Sequence, residues 1–454
     1  MPQLPLHDPN YRRDMGDGLV LRWASPGDVE GIAALYSEVF RDKDDPPNAP
    51  LAAWTHDLMS GRHPHIVAND FALVEDTNAG AVVAATCLLR QSWEYAGIAF
   101  PVGRPEIVAS MPGYRERGLV RAVFDLIHAR SDAEGHMAQG ITGIPYYYRQ
   151  FGYEYALDLG GWRVVFNSAI PPLAEGATEP FVLRPATVAE IPQVLALYDQ
   201  DRATRAISTP MSAEYLRWVI EGQSFASGEG WDTQLIVRAN EPAAPLGYLF
   251  SRRHRWNHDV AIVALHVAPG VPLPGVLPSV LRALAAQGAR LHTPGTKTPP
   301  FDRLLFGLGR KHAVYDALGD LAPLHGDPYA WYVRVRDLPA LVMHLAPVLE
   351  ARLAASPVAG LSEELRLDFY RGGLRMVFES GKLQAAEPWN VRAVHYGPKP
   401  TAGFPPLVFL QLLFGHRSLS ELRHTFPDVR ADGTTRLALE AMFPPLNAWA
   451  LNLD

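Results

Sequence analysis

The order of apolar and polar positions predicts the same opening twice. Residues 19–36, "LVLRWASPGDVEGIAALY", and 181–198, "FVLRPATVAEIPQVLALY", each start as a short apolar strand and pass through a Ser/Thr-containing turn suited to capping. Each then shows apolar side chains at i, i+3 and i+4, the spacing of an amphipathic helix. Without a gap, Leu21 falls on Leu183, Arg22 on Arg184, Ala24 on Ala186, Ala34 on Ala196, Leu35 on Leu197 and Tyr36 on Tyr198. A repeat of this kind implies two related domains.

Further along the first copy, "PEIVAS" (105–110) reads as a strand, "MPGYRERG" as a turn and "LVRAVFDLIHAR" as a helix. Leu119, Val123, Leu126 and Ile127 share its buried face. The second copy has the matching turn "APGVPLPGVLPSV" (268–280), in which Pro272 and Pro274 replace Arg115 and Arg117. Its Gly275 stands where the first copy has Gly118, so the turn is expected to persist without its arginines.

The chain after about residue 326 matches neither copy. A helical stretch, "DLPALVMHLAPVLEARLAAS", precedes strand-like alternation in "ELRLDFYRGGLRMVFESGKLQAAE" and two further helical stretches. This predicts a helix-on-sheet unit. Three units follow, 1–166, 167–325 and 326–454, with "NSAIPPLAEGATEP" (167–180) as the linker between the first two.

Composition narrows the function classes. A chain of 454 residues with 48% hydrophobic and 20% charged residues has the balance of a soluble multidomain protein. A net charge of −7 lacks the basic excess of a nucleic-acid binder. The single cysteine, Cys87, lies in the apolar run "AVVAATCLL" and reads as a core residue in a reducing, cytoplasmic setting. No apolar run is long enough for a membrane span, and the N-terminus has no signal-peptide pattern. The histidines of "GRHPH" and "RRHRWNH" lack a third ligand at a recognised spacing, so no metal is expected.

A strand, a glycine turn and a helix N-terminus aim several unpaired N–H groups at one point, which suits a phosphate or pyrophosphate. Arg115 and Arg117 add charge there, and Gly118 permits close backbone approach. About 22 residues on, "GITGIPYYYRQFGYEYAL" (140–157) follows with a row of tyrosines.

At these residues the chain resembles the GNAT superfamily of acyl-CoA transferases. "RERGLV" (115–120) is similar to its pyrophosphate motif, with Val120 where Gly or Ala is usual, and "YYRQFGY" (147–153) is similar to the region of its general-acid tyrosine. The order of the three units resembles the Eis-like branch of the superfamily. That resemblance implies a mixed α+β and α/β fold: two tandem GNAT folds followed by a sterol-carrier-protein-like α+β domain.

It further implies acetyl-CoA as acyl donor, held by Val108, Ser110, Arg115, Glu116, Arg117, Gly118, Leu119 and Val120. Tyr148 is the implied general acid, with Tyr146 and Tyr147 one register slip away. The C-terminal residue Asp454 is the implied base, through either of its carboxylates, and the apolar tail "AWALNLD" suits docking better than solvation. Phe40, Trp54 and Trp93 stand as pocket walls or as ordinary core. An amine acceptor of aminoglycoside, polyamine or lysine type and a homohexamer complete the expectation.

A second class stays open, in which the third unit binds an apolar ligand and the repeats are scaffold. Retention of Arg115, Gly118 and Tyr148 favours the enzyme.

Overall fold

The computed structural model describes residues 4–159, 161–291, 299–326, 329–390, 399–431 and 433–453. In the first unit, the chain forms β1 (Arg12–Gly16), β2 (Leu19–Trp23), α1 (Val29–Val39), α2 (Ala49–Met59), β3 (Phe71–Asp76), β4 (Ala81–Tyr95), β5 (Ile98–Ser110), α3 (Leu119–Ala133), β6 (Ala138–Ile141) and β7 (Glu154–Leu159). Strands β1 to β5 pair antiparallel in sequence order, and β6 lies parallel to β5. The face under α1 and α2 buries Leu35, Trp54, Leu73 and Leu89. Beneath α3 the core is Leu21, Val74, Val123 and Ile127.

The second unit repeats this plan: β8 (Arg163–Phe166), β9 (Phe181–Pro185), α4 (Ile191–Arg202), β10 (Ile207–Ser208), α5 (Ala213–Arg217), β11 (Trp231–Arg238), β12 (Glu241–Arg252), β13 (Asp259–Val267), α6 (Leu273–Gly288), β14 (Arg303–Phe306) and α7 (Ala313–Leu318). Its six-stranded sheet runs β8-β14-β13-β12-β11-β9. Even local ion pairs recur. Arg22 holds Asp28 at 2.6 Å, and Arg184 holds Glu190 at 2.5 Å.

The next strand departs from the linear division read from the sequence. β15 (Tyr329–Arg334) returns to the first sheet and inserts antiparallel between β6 and β7. Likewise β8, assigned by sequence to the end of the first unit, pairs with β14 in the second sheet. Both strands find partners far along the chain, which local periodicity does not encode.

The third unit holds α8 (Leu338–His344), α9 (Ala346–Ala354), β16 (Glu364–Asp368), β17 (Gly373–Glu379), β18 (Lys382–Pro388), β19 (Ala402–Gly403), α10 (Phe409–Leu413), α11 (Leu419–Thr425), β20 (Arg430–Ala431) and α12 (Gly433–Met442). Its five-stranded sheet shares one core with the Trp93, Phe100 and Trp331 face of the first sheet. Asp158 on β7 ties the units together, receiving Arg310 of the second at 3.1 Å and His416 of the third at 2.9 Å.

Candidate active site

Strands β5 and β6 pair only at Val102–Ala138 and Gly103–Gln139. Beyond these positions β6 turns to β15, where Ile141 faces Tyr332, while β5 stays with β4 as far as Ser110. The parallel pair therefore opens into a V. A bulge sharpens it: Ile107 and Val108 together oppose the single residue Thr86, and Ile107 sits at φ +52°, a strained value for a β-branched residue. The Met111 N–H is used by the Val83 carbonyl. Strand alternation then turns the N–H groups of Ser110 and Val108 to the open side.

The loop at the mouth of the V is open to solvent and sharply turned. Residues 115–118 are exposed, and Glu116 and Gly118 adopt left-handed φ values of +63° and +75°. Such a loop gathers successive N–H groups into a concavity, here continuous with the N-terminus of the 15-residue α3. Leu119 is buried and anchors the helix, and Val120 is half-buried. Arg117 lies over the Tyr114 ring and meets Asp17 at 2.8 Å, while Arg115 is exposed.

Tyr148 sits in a short 3-10 turn, Tyr147–Phe151, and is 5% exposed. Its ring packs at 5.3 Å from Tyr332 and 5.9 Å from Phe124. The hydroxyl lies against Gly143, just after β6, where an added Cβ would stand 3.4 Å from it. Burial pushes this phenol well above its ordinary range, and the nearby Glu106 charge adds to the rise. Tyr146 is 68% exposed and Tyr147 half-buried, so of the three neighbours Tyr148 alone is enclosed.

Two residues that the sequence reading passed over stand on the other arm of the V. Arg104 is fully buried, paired with Glu106 and stacked 4.8 Å from the Trp331 ring centre. The signal was present as opposite charges at i and i+2 within an apolar strand, a spacing that places both on one face.

The tail approaches the same point. The backbone of Ala448 and Trp449 joins β7 and β10, Thr209 donates to the Leu451 carbonyl at 3.1 Å, and Gln91 and Arg104 donate to the Leu453 carbonyl. Leu451 and Leu453 are buried. Asp454 itself lies outside the described residues.

The three aromatic residues named as pocket walls separate. Phe40 is 45% exposed at the end of α1. Trp54 is buried on the inner face of α2, and Trp93 is wholly buried against Trp331 in the core shared with the third unit. Cys87 is buried. Among the described residues no cluster of His, Cys, Asp or Glu forms a metal-binding group, and no helix is long and apolar enough to cross a membrane.

Residues 21–156 match the sequence model of the acetyltransferase (GNAT) domain. No curated protein matches the chain. Among solved structures, a GCN5-related N-acetyltransferase from Anabaena variabilis has a TM-score of 0.64 at 14% identity, covering 95% of this chain and 99% of that one. A probable N-acyltransferase of unknown function from Enterococcus faecalis also has 0.64 at 14% identity, with 96% and 99% covered. Eis1 from Mycobacterium abscessus has 0.58 at 14% identity over 96% of this chain and 99% of that one. At that identity the likeness shows a shared fold over nearly the whole length. The domain match over residues 21–156 makes this chain an acyltransferase carrying a GNAT domain, and the structural likeness adds the fold alone.

Proposed function

We propose that the chain is an acetyl-CoA-dependent N-acetyltransferase acting on a primary amine of aminoglycoside, polyamine or lysine type, with one active site, in the first unit. The observation that carries this reading is the V between β5 and β6, with an exposed N–H-rich loop at its mouth and the Tyr148 hydroxyl against Gly143, just after β6.

In this reading the backbone of residues 116–120, with Arg115 and Arg117, grips the pyrophosphate, and the N–H groups of Val108 and Ser110 hold the pantetheine arm and polarise the thioester carbonyl. The neutral amine attacks that carbonyl, so the N–C bond forms as the C–S bond breaks. Tyr148 donates its proton to the sulfur as negative charge develops there; its raised pKa keeps the donor loaded, and the phenolate left behind, a stronger base than the thiolate, takes a proton back from solvent to close the cycle. The amine proton passes to a carboxylate, either that of Asp454, next in sequence after the anchored Leu453, or that of Glu106, which pairs with Arg104. Phe40 and Trp54, on the α1 and α2 side, border the acceptor cleft, with Trp93 serving the core.

By the same resemblance the third unit is a sterol-carrier-type fold, and the chain is a soluble cytoplasmic hexamer; light scattering that returns a monomer contradicts the assembly. Release of free thiol from acetyl-CoA, measured with a panel of aminoglycosides, polyamines and lysine peptides, tests the activity. The expected result is amine-dependent release that Tyr148→Phe abolishes with acetyl-CoA affinity intact. No release with any amine would refute it. Separate Glu106→Gln and Asp454-deleted chains identify the base, since only the true base lowers kcat and shifts its pH dependence.

A further inference from the structure

The two copies of the fold differ at a place remote from acyl transfer. Beyond Pro185, β9 no longer covers β11, and a cavity of about 360 Å³ opens between that uncovered edge and the end of α6. This volume lies at the small end of the range for ligand pockets.

The first copy shows what normally fills this position. The Ala24 N–H bonds the Phe71 carbonyl there as the Ala186 N–H bonds the Thr233 carbonyl here, which equates Asp70 with Asp232 and Trp23 with Pro185. The burial pattern along α3 and α6 equates Arg130 with Gln287. In the first copy, the Arg130 guanidinium lies 3.3 Å from the Trp23 ring centre and donates to Asp70, Asn69 O and His7 O. The N-terminal segment closes over it, with its Leu6 carbonyl accepting from the Trp23 indole. The occupant of the slot is a guanidinium.

In the second copy the slot is vacated by substitution. Gln287 turns to a reciprocal amide pair with Gln234, at 3.0 and 3.1 Å. Pro185 offers no ring to stack on, and the preceding segment follows α6 instead, through the Glu179–Arg282 pair. Asp70 has two arginines, Arg90 at 2.6 Å and Arg130 at 3.4 Å; among the described residues Asp232 has one, Arg253 at 3.3 Å. Burial pushes the Asp232 carboxyl up, and Arg253 only partly offsets it. The head group of Arg253 is spread over the carbonyls of Trp231, Val219 and Gln223. The buried Thr233 hydroxyl, where the first copy has Phe71, has no partner among the described residues. At the rim stands the exposed Arg290, a second positive charge where the first copy has Ala133.

We propose that this cavity binds a small molecule bearing both a guanidinium and a carboxylate, the guanidinium in the slot that Arg130 fills in the first copy and the carboxylate at Arg290. Asp232 and the Gln287 amide oxygen receive the guanidinium N–H groups, and the Thr233 hydroxyl gains a partner. The site is independent of the acyl-transfer reading.

Calorimetry with N-acetyl-L-arginine tests it, because this probe carries both charges and no amine that can accept an acetyl group. Its neutral ureido counterpart, N-acetyl-L-citrulline, is expected to bind at least roughly tenfold more weakly, as is N-acetyl-L-arginine to the Asp232→Asn chain. Gln287→Arg, which rebuilds the first copy's plug, is expected to abolish binding and raise the melting temperature. No binding of N-acetyl-L-arginine at millimolar concentration, equal binding of the citrulline probe, or full binding to Gln287→Arg each overturns the proposal.

Discussion

The loops after β5 and β13 begin with the same Pro-Gly step and then diverge. In the first, Pro112–Tyr114 makes one 3-10 turn, the backbone passes through left-handed Glu116 and Gly118, and the helix starts at Leu119. In the second, the helix starts already at Leu273, so Gly275 lies inside it at an ordinary helical φ. The sequence reading had the turn persisting around Gly275; the structure replaces it with helix. Pro274, in the first turn, tolerates a helix start because its missing N–H would be unpaired there in any case. The early start removes the concave run of N–H groups, and the prolines remove further donors. The two loops therefore differ in helix onset as well as in two arginines.

The second comparison is between tyrosines. "YRQFG" (148–152) and "YDALG" (315–319) have the same spacing, and each tyrosine is buried beside the loop that leaves the short parallel strand. Tyr315 spends its hydroxyl on structure, accepting from the Leu308 N–H at 2.8 Å and donating to the Phe306 carbonyl at 3.0 Å. So a tyrosine at this spacing is retained in both copies, and its hydrogen bonding separates the roles. The second copy's cleft face is moreover covered by the chain itself, since Trp449, Leu451 and Leu453 pack with Val263 and Ala264.

Paired substitutions are the sharpest way to break this comparison. Tyr148→Phe should lower kcat by roughly a hundredfold or more, the usual contribution of a general acid, with acetyl-CoA binding kept. Tyr315→Phe should leave kcat within about twofold and lower stability by about 1–2 kcal/mol, read by thermal denaturation, because the Leu308 N–H loses its acceptor. Next in size, Arg115→Ala with Arg117→Ala should raise the KM for acetyl-CoA by roughly tenfold with kcat little changed, an effect that added salt mimics in the wild type.

The glycine pair should give opposite signs. Gly118→Ala places a Cβ at φ +75° and should destabilise by about 1 kcal/mol and weaken acetyl-CoA binding, whereas Gly275→Ala, in the first turn of a helix and without a positive φ, should stabilise by a few tenths to about 1 kcal/mol. The smallest effect concerns pH. Because burial raises Tyr148, the folded chain holds this proton more tightly than the unfolded one, and the donor stays loaded at neutral pH. That contribution is present below pH about 10 and lost above it, so a pH–kcat profile should show no alkaline decline from Tyr148 before about pH 10.

What the sequence shows and what it hides follow from the range of each interaction. The repeated strand–turn–helix openings and the β5–α3 succession were legible because periodicity and turn chemistry are local. The insertion of β15 between β6 and β7 was not, because its partners lie well over a hundred positions away. Arg104 and Glu106 were overlooked because their pairing under Trp331 is visible only once the sheet is assembled. The kinship of Tyr315 and Tyr148 was masked by a change in loop length, though the Y-x-x-[FL]-G spacing carried it.

The central claim is that one chain holds two copies of a fold and one acyl-CoA site. Isothermal titration with acetyl-CoA counts those sites directly. The account predicts one site per chain, weakened roughly tenfold by Arg115→Ala with Arg117→Ala and untouched by replacing Pro272 and Pro274. Two sites per chain, or a single site whose affinity is unchanged by loss of both arginines, would contradict it.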